Sequence, residues 1–300
     1  MKCLALLLAA ASLTAAPLYF DGARALAYTK KQCDMGPRNY NSAGHRAAVT
    51  FITNELAALG CAPVLQHFTA DSIPGRRGIN IYTVLKGASP VYAVAAGHYD
   101  TRSVAEKELS PQKRDTPIIG ANDGGASAGM LLALAAALKR HQLPQSVMLV
   151  FFDLEDDGSY ARSPSQTDWI QGSRAFAASG ILTVSNTAFG LLIDMPGSAD
   201  ARFYYESYAF ERFPKLYAAV WRVAASLGGE NFIPRERGGI IDDHIPFILK
   251  GIPFIDIIDI DYAYHHRQSD TCDKISAAML ARVGRIVEYT LVNDVITARQ

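Results

Sequence analysis

Apolar residues recur along this chain in two alternating rhythms. Spacings of three and four residues predict helices over residues 20–35 and 42–60; the second, SAGHRAAVTFITNELAALG, carries a clear apolar stripe. Short runs of β-branched and aromatic residues predict strands at Asn80–Leu85, Tyr92–Ala96, Ser146–Phe152, Phe189–Asp194, Arg202–Glu206 and Ile252–Ile258. Helical spacing returns at Ser127–Lys139, Thr167–Ala178 and Phe213–Leu227, and a last helix is predicted over Ile275–Thr297. Strands alternating with helices predict an α/β fold of three layers, α/β/α, around a central mixed, mainly parallel sheet. The polar segment Ser103–Thr116 reads as a long surface loop.

In open α/β sheets, functional groups collect beyond the carboxyl ends of the strands. Here four such ends are ionisable. The run VYAVAAGHYDTR ends in His98 and Asp100, which as i and i+2 of a strand point to one face. Taken alone, that pair is equally a hydrogen bond at a sheet edge. Ser146–Phe152 runs into Asp153, Glu155, Asp156 and Asp157, and Phe189–Ile193 ends in Asp194. The strand at Ile252–Ile258 leads to His265 and His266 in DYAYHHRQSDT. Asp123, in IIGANDGG, is delivered by a glycine-rich turn ahead of an apolar helix, where it is also a candidate N-cap. Carboxylates and imidazoles without thiolates suit a catalytic zinc that keeps an open position.

Composition removes other classes. Hydrophobic residues make up 49% and charged residues 19% of the 300, and the formal net charge is zero. No long basic run offers a nucleic-acid surface. After the N-terminus, no segment has the roughly 18 apolar residues of a membrane span. The start, MKCLALLLAAASLTAAPLYF, has one lysine, an apolar stretch and then small residues. That is the pattern of a cleaved export signal, assigned to residues 1–16, with a single domain over 17–300. The protein is therefore expected to be exported, periplasmic or secreted, and free of the membrane after cleavage. Cys33, Cys61 and Cys272 are too scattered for a cysteine-based zinc site. In an oxidising compartment Cys33 and Cys61 can pair, leaving one cysteine over.

The ordered set HYD, GANDG, FFDLED, LLIDM, DDHIPF and YHHRQSDT resembles the zinc aminopeptidases of the M28 type and their relatives, the animal-type glutaminyl cyclases. The resemblance runs from about Gly36 to Leu291. DDHIPF followed by GIPF, and the segment SPSQTDWIQGSR, resemble the cyclase branch. This likeness implies Asp123, Asp156 and His266 as zinc ligands, Asp156 standing where animal cyclases carry glutamate. It implies Glu155 as general acid and base, and Asp194 and Asp242 as acids of a substrate hydrogen-bond network. His265 takes the place of a pocket tryptophan, Asp256 that of a histidine beside the site, and Ala161 that of an entrance aromatic. His265 and Asp256 are thus candidates for the substrate pocket. His98 and Asp194 match second-metal ligands of two-zinc peptidases, with Asp123 bridging; in the cyclases they hold hydrogen bonds around one zinc. The implied activity is zinc-dependent conversion of N-terminal glutamine, on peptides or proteins, to pyroglutamate with loss of ammonia. One zinc is expected, with ligands enough for two, in a monomer. The alternative is an aminopeptidase in which Glu155 activates the attacking water.

Two other readings use the same residues. Gly125–Gly129 forms G-x-S-x-G around Ser127, and Asp194 with His266 completes a triad in chain order. The preceding TPIIGAND makes a poor strand for a nucleophile elbow, however, and Glu155 and Asp156 go unexplained. A non-catalytic binding module is expected to have lost a ligand or the base, and none is missing. His45 and His141 read as surface residues, His67 as a strand packing residue and His244 as support behind the site. Trp169 and Trp221 read as core or helix-packing residues.

Overall fold

The structure, a computed structural model, describes residues 17–158, 168–293 and 295; the assigned export signal, residues 1–16, lies outside them. Eight strands are described: β1 (Val64–Thr69), β2 (Arg77–Leu85), β3 (Ser89–His98), β4 (Gln145–Phe152), β5 (Thr187–Asp194), β6 (Phe203–Tyr205), β7 (Phe232–Glu236) and β8 (Phe254–Ile258). Six form one sheet in the order β1-β2-β4-β3-β5-β8. β4, β3, β5 and β8 run parallel, while β2 and β1 are antiparallel additions at one edge. The sheet is mixed and mainly parallel, as the alternation of strands and helices predicts. β6 pairs with β7 in a separate two-stranded sheet. Pro234, inside β7, breaks the apolar run that marks the other strands, so the pattern does not reveal it.

The helices are α1 (Gly22–Asp34), α2 (Ala43–Ala58), α3 (Ser127–Leu138), α4 (Gln171–Ala178), α5 (Ser207–Arg212), α6 (Pro214–Ser226), α7 (Ile245–Leu249) and α8 (Ala277–Val292). α3, SAGMLLALAAAL, is buried on nearly every side, between the sheet at β3 and β4 and the helices α1, α2 and α8. A helix apolar all round is what such a position requires. On the other face, α4 and α7 bring Phe176 and Phe247 against Phe152 of β4, with ring centroids 5.9 Å away in each case. Tyr82 of β2 meets Phe176, and Phe254 of β8 meets Phe247. Trp221 packs into the core beside Tyr205, Tyr217 and Phe232, as expected.

Four expectations are corrected. Cys33 bonds Cys272, 239 residues on, and Cys61 is free. The packing of α1 against α8 and the turn at Cys272–Lys274 brings the two sulfurs together across a separation that spacing does not reveal. His67 lies exposed on the edge strand β1 rather than packed. His141 is no free surface residue, since its Nε2 lies 2.8 Å from Glu288 Oε1 and its side chain is almost covered. His45 is buried, stacked on Tyr99, with Nε2 2.8 Å from Asp153 Oδ1. The same carboxylate accepts from Ile79 N and Leu154 N, so His45 helps to hold the turn leaving β4.

Two outcomes follow. Replacing both Cys33 and Cys272 by serine removes a cross-link over a long loop and lowers unfolding free energy by about 2–5 kcal/mol, measured by denaturant titration, while Cys61→Ser leaves the midpoint in place. His45→Ala lowers stability by about 1.5–3 kcal/mol, the worth of a hydrogen bond to a charged group. Burial pulls the His45 pKa down, but the hydrogen bond and charge of Asp153 outweigh it and hold the pKa above 6.5. Protonated His45 therefore favours the folded state. Its ionic contribution is complete below pH 6.5 and fades as pH rises through the raised value, so the gap between wild type and H45A narrows at alkaline pH.

Candidate metal centre and active site

β3, β4, β5 and β8 run parallel, so their carboxyl ends open on one edge of the sheet. His98 closes β3, and its Nε2 lies 3.1 Å from Asp194 Oδ1, at the end of β5, and 3.3 Å from Asp123 Oδ1. Asp100, two residues on, approaches the other ring nitrogen at 3.5 Å and also accepts the backbone N–H groups of Glu155 and Asp156, each at 3.1 Å. The His-x-Asp pair is thus no bare sheet-edge contact. The histidine reaches across to β5, and the carboxylate clamps the turn that follows β4.

That turn is tight. Leu154 has φ +55°, and Met195, just past Asp194, has φ +44°. His266 has φ +54°. Left-handed backbone at such side chains costs on the order of 1–3 kcal/mol each and persists only where the surroundings hold it. Asp123 is delivered by the loop Gly120–Ala126, whose Asn122 and Asp123 N–H groups donate to the two oxygens of Asp270 at 2.9 and 3.2 Å. Gly124 in this loop has φ +80°, and a Cβ there would lie 2.4 Å from the Asp100 carbonyl oxygen. Only glycine lets the loop sit this close to β3.

His266 Nε2 lies 3.1 Å from Asp156 Oδ1 and 3.6 Å from Asp123 Oδ2. His265 Nε2 is 4.0 Å from that same Asp123 oxygen. Both carboxylate oxygens of Asp156, and Asp123 Oδ2, are buried without a hydrogen-bond partner among the described residues. Burial and the Asp156 charge push the Asp123 carboxyl up to about 6. Unpartnered buried carboxylate oxygens facing an imidazole are costly unless a cation joins them. The donor set, oxygen and nitrogen without sulfur, fits a divalent metal of the zinc type. The groups Asp123–His265–His266 and His98–Asp123–Asp194 each bring three potential ligand atoms within 4.8 Å of one another.

A cavity of about 210 Å³ lies against this cluster, lined also by Glu155, Asp194, Asp242, His265 and Trp169. Met195, Ile240, Ile241, Ile258 and Ile260 give it an apolar wall. Burial first, then the Asp156 charge, raises the Glu155 pKa well above the ordinary carboxylate value. Asp242 is raised likewise by burial and by Asp194. His244 supports the Asp242 loop from behind, through Glu206 at 2.9 Å.

Asp256 is not on the cavity wall. It is fully buried on β8, with Oδ2 3.7 Å from His244 Nδ1, because its strand points that side chain into the layer behind Asp242. Trp169, read as a packing residue, instead lines the cavity with its ring parallel to His266, centroids 5.9 Å apart. Its place inside the segment SPSQTDWIQGSR is the signal the sequence offers. Ala161 lies outside the described residues. Ser127 is fully buried on the first turn of α3, its Oγ without a partner among the described residues, while Asp194 pairs with His98 and His266 with Asp156 and Glu106. No serine triad forms.

The model of Peptidase family M28 matches residues 80–291. A glutaminyl-peptide cyclotransferase-like protein of Bos taurus is 24% identical over 258 residues, 76% of this chain. The match spans 63% of that relative's length. Among solved structures, a leucine aminopeptidase precursor from Bacteroides thetaiotaomicron aligns with TM-score 0.88 at 30% identity, covering 94% of this chain and all of the other. A glutaminyl cyclase from the same organism, bound to N-acetylhistamine, aligns with TM-score 0.86 at 30% identity, covering 93% of this chain and all of the other. The M28 match takes in most of the chain and every strand end that contributes to the cavity, and the chain belongs to Peptidase family M28.

Proposed function

We propose that this protein is a zinc-dependent glutaminyl-peptide cyclotransferase that converts N-terminal glutamine on peptides or proteins to pyroglutamate and releases ammonia. The observation that carries the reading is one cavity in which Asp123, Asp156 and His266, with three carboxylate oxygens that have no hydrogen-bond partner among the described residues, meet two further carboxyls, Glu155 and Asp242, beneath an apolar wall. Such a cavity holds a short amide side chain by its polar end. The cyclotransferase-like relative and the bacterial cyclase structure support the same reading.

Asp123, Asp156 and His266 would hold one zinc ion. Bound there, zinc supplies a Lewis acid for the γ-amide carbonyl. Glu155 takes a proton from the attacking α-amine nitrogen as the new C–N bond forms, and returns it to the γ-amide nitrogen, which leaves as ammonia. Its apolar surroundings favour a carboxyl able to carry that proton. Asp242, whose pKa burial raises, and Asp194 hold the substrate by hydrogen bonds. The pairing of His98 with Asp194, at 3.1 Å, supports a hydrogen-bond network around a single zinc.

A second reading, aminopeptidase, is favoured by the likeness to the leucine aminopeptidase precursor and by the His98–Asp123–Asp194 group, which has the ligands for a second ion. There Glu155 activates water, and the first peptide bond breaks. The protein is proposed to act as an exported monomer, in periplasm or outside the cell. The Cys33–Cys272 bond fits an oxidising compartment, and no helix among the described residues is long and apolar enough to cross a membrane.

Zinc-replete protein incubated with Gln-Phe-Ala and Leu-Phe-Ala, read by mass spectrometry, separates the two. Loss of ammonia from the first with the second intact is expected; free leucine would instead establish the peptidase. Glu155→Gln is expected to lower kcat by about 10²–10⁴ while zinc content, measured by metal analysis, stays at the wild-type value. Unchanged turnover would remove Glu155 from its role.

A further inference from the structure

An imidazole offers a metal one ring nitrogen, and the partner of the other nitrogen decides which. His266 Nε2 faces Asp156 and Asp123, while its Nδ1 lies 2.5 Å from Glu106 Oε1. An ionised carboxylate only accepts hydrogen bonds. The Nδ1 hydrogen is therefore committed to Glu106, and Nε2 is the nitrogen left to bind an ion that Asp123 and Asp156 would share. The second Glu106 oxygen, Oε2, accepts from Arg102 Nε at 3.0 Å.

Arg102 is itself fully buried, and its Nη1 donates to the carbonyl oxygens of Asp156, at 2.8 Å, and Gly158. One carboxylate and one guanidinium thus join the backbone of one candidate ligand to the ring of another. The Arg102 guanidinium lies 4.2 Å from the Trp169 ring centroid, and that indole runs parallel to the His266 ring at an interplanar angle of 5°. The ring is gripped at its edge by Glu106 and bounded on a face by Trp169.

We propose that Glu106 is the positioning residue of the metal centre: it fixes the Nδ1–H form of His266 and aims Nε2 at the ion shared with Asp123 and Asp156. The inference rests on the metal reading above. It gives the polar segment Ser103–Thr116 a task beyond connecting β3 to the Asp123 loop. The same segment supplies its own control. Glu108, two residues on, accepts from Gln268 N at 3.1 Å and so ties down the loop, but it makes no bond to His266.

The test titrates metal-stripped wild type, E106Q, E106A, E106D and E108Q with zinc against a chromophoric chelator, and follows the melting of each metal-free protein. E106Q and E106A are expected to weaken zinc binding by about 10–100-fold, the usual consequence of losing such a partner, with E106D between them and wild type. E108Q is expected to bind zinc as wild type does, and the metal-free melting temperatures are expected to stay together. Wild-type zinc affinity in both E106Q and E106A overturns the proposal. So does an equal loss in E108Q, which would make the effect one of loop order. Should E106A melt early, E106Q and E106D, which keep the side chain's polar end, decide the matter. A wild-type protein that binds no zinc overturns the metal reading itself, an outcome distinct from a zinc-binding wild type matched by its Glu106 variants.

Discussion

The site depends on a single carboxylate that is not itself on the cavity wall. Asp100 accepts the N–H groups of Glu155 and Asp156 and faces His98, and so ties the end of β3 to the turn after β4. Without that clamp the turn would present two unsatisfied buried donors, and both acidic side chains would lose their aim. The neighbouring carboxylate, Asp153, repeats the device one step behind, gathering His45, Ile79 and Leu154. The turn after β4 is thus built by acids that hold backbone, so that the next two acids are left to face the cavity.

This arrangement concentrates like charge where water is scarce. Asp123 and Asp156 are buried together, with Glu155, Asp194 and Asp242 close behind. The cationic side chains nearby are mostly occupied in holding backbone: Arg38 binds the carbonyls of Tyr99, Ile119 and Gly120, and Arg102 those of Asp156 and Gly158. The protein's own cations fix the scaffold and leave the cluster itself undersupplied with positive charge. That imbalance, together with left-handed backbone at Leu154, Met195 and His266, is the local cost a functional centre imposes on an otherwise regular sheet.

The fold was legible because its signals are local. β3, β4 and β5 are continuous apolar runs, α3 is apolar all round, and each strand end announces itself by an abrupt acid or histidine. The acids and histidines of the cavity were legible for the same reason. What stayed hidden depends on distant partners. Glu106 in a charged loop looks like any solvated residue, and Trp169 like any packing residue, until the chain brings His266 between them. Asp256 failed in the opposite sense: its place in the motif suggested the pocket, but the strand turns it inward. Cys33 and Cys272 could not be paired by spacing, since 239 residues separate them.

That disulfide also ties the outer helices to the segment that carries part of the centre. Cys33 lies at the end of the first described helix and Cys272 just before the last, and Glu288 of that last helix accepts the N–H groups of Tyr19 and Phe20. His266 and Asp270 enter the centre from the same late segment. Neither the cross-link nor the ligand cluster can close without the segment around residue 270. The cavity and the bond that staples it therefore draw on one stretch of chain, so that a change in that stretch reaches both.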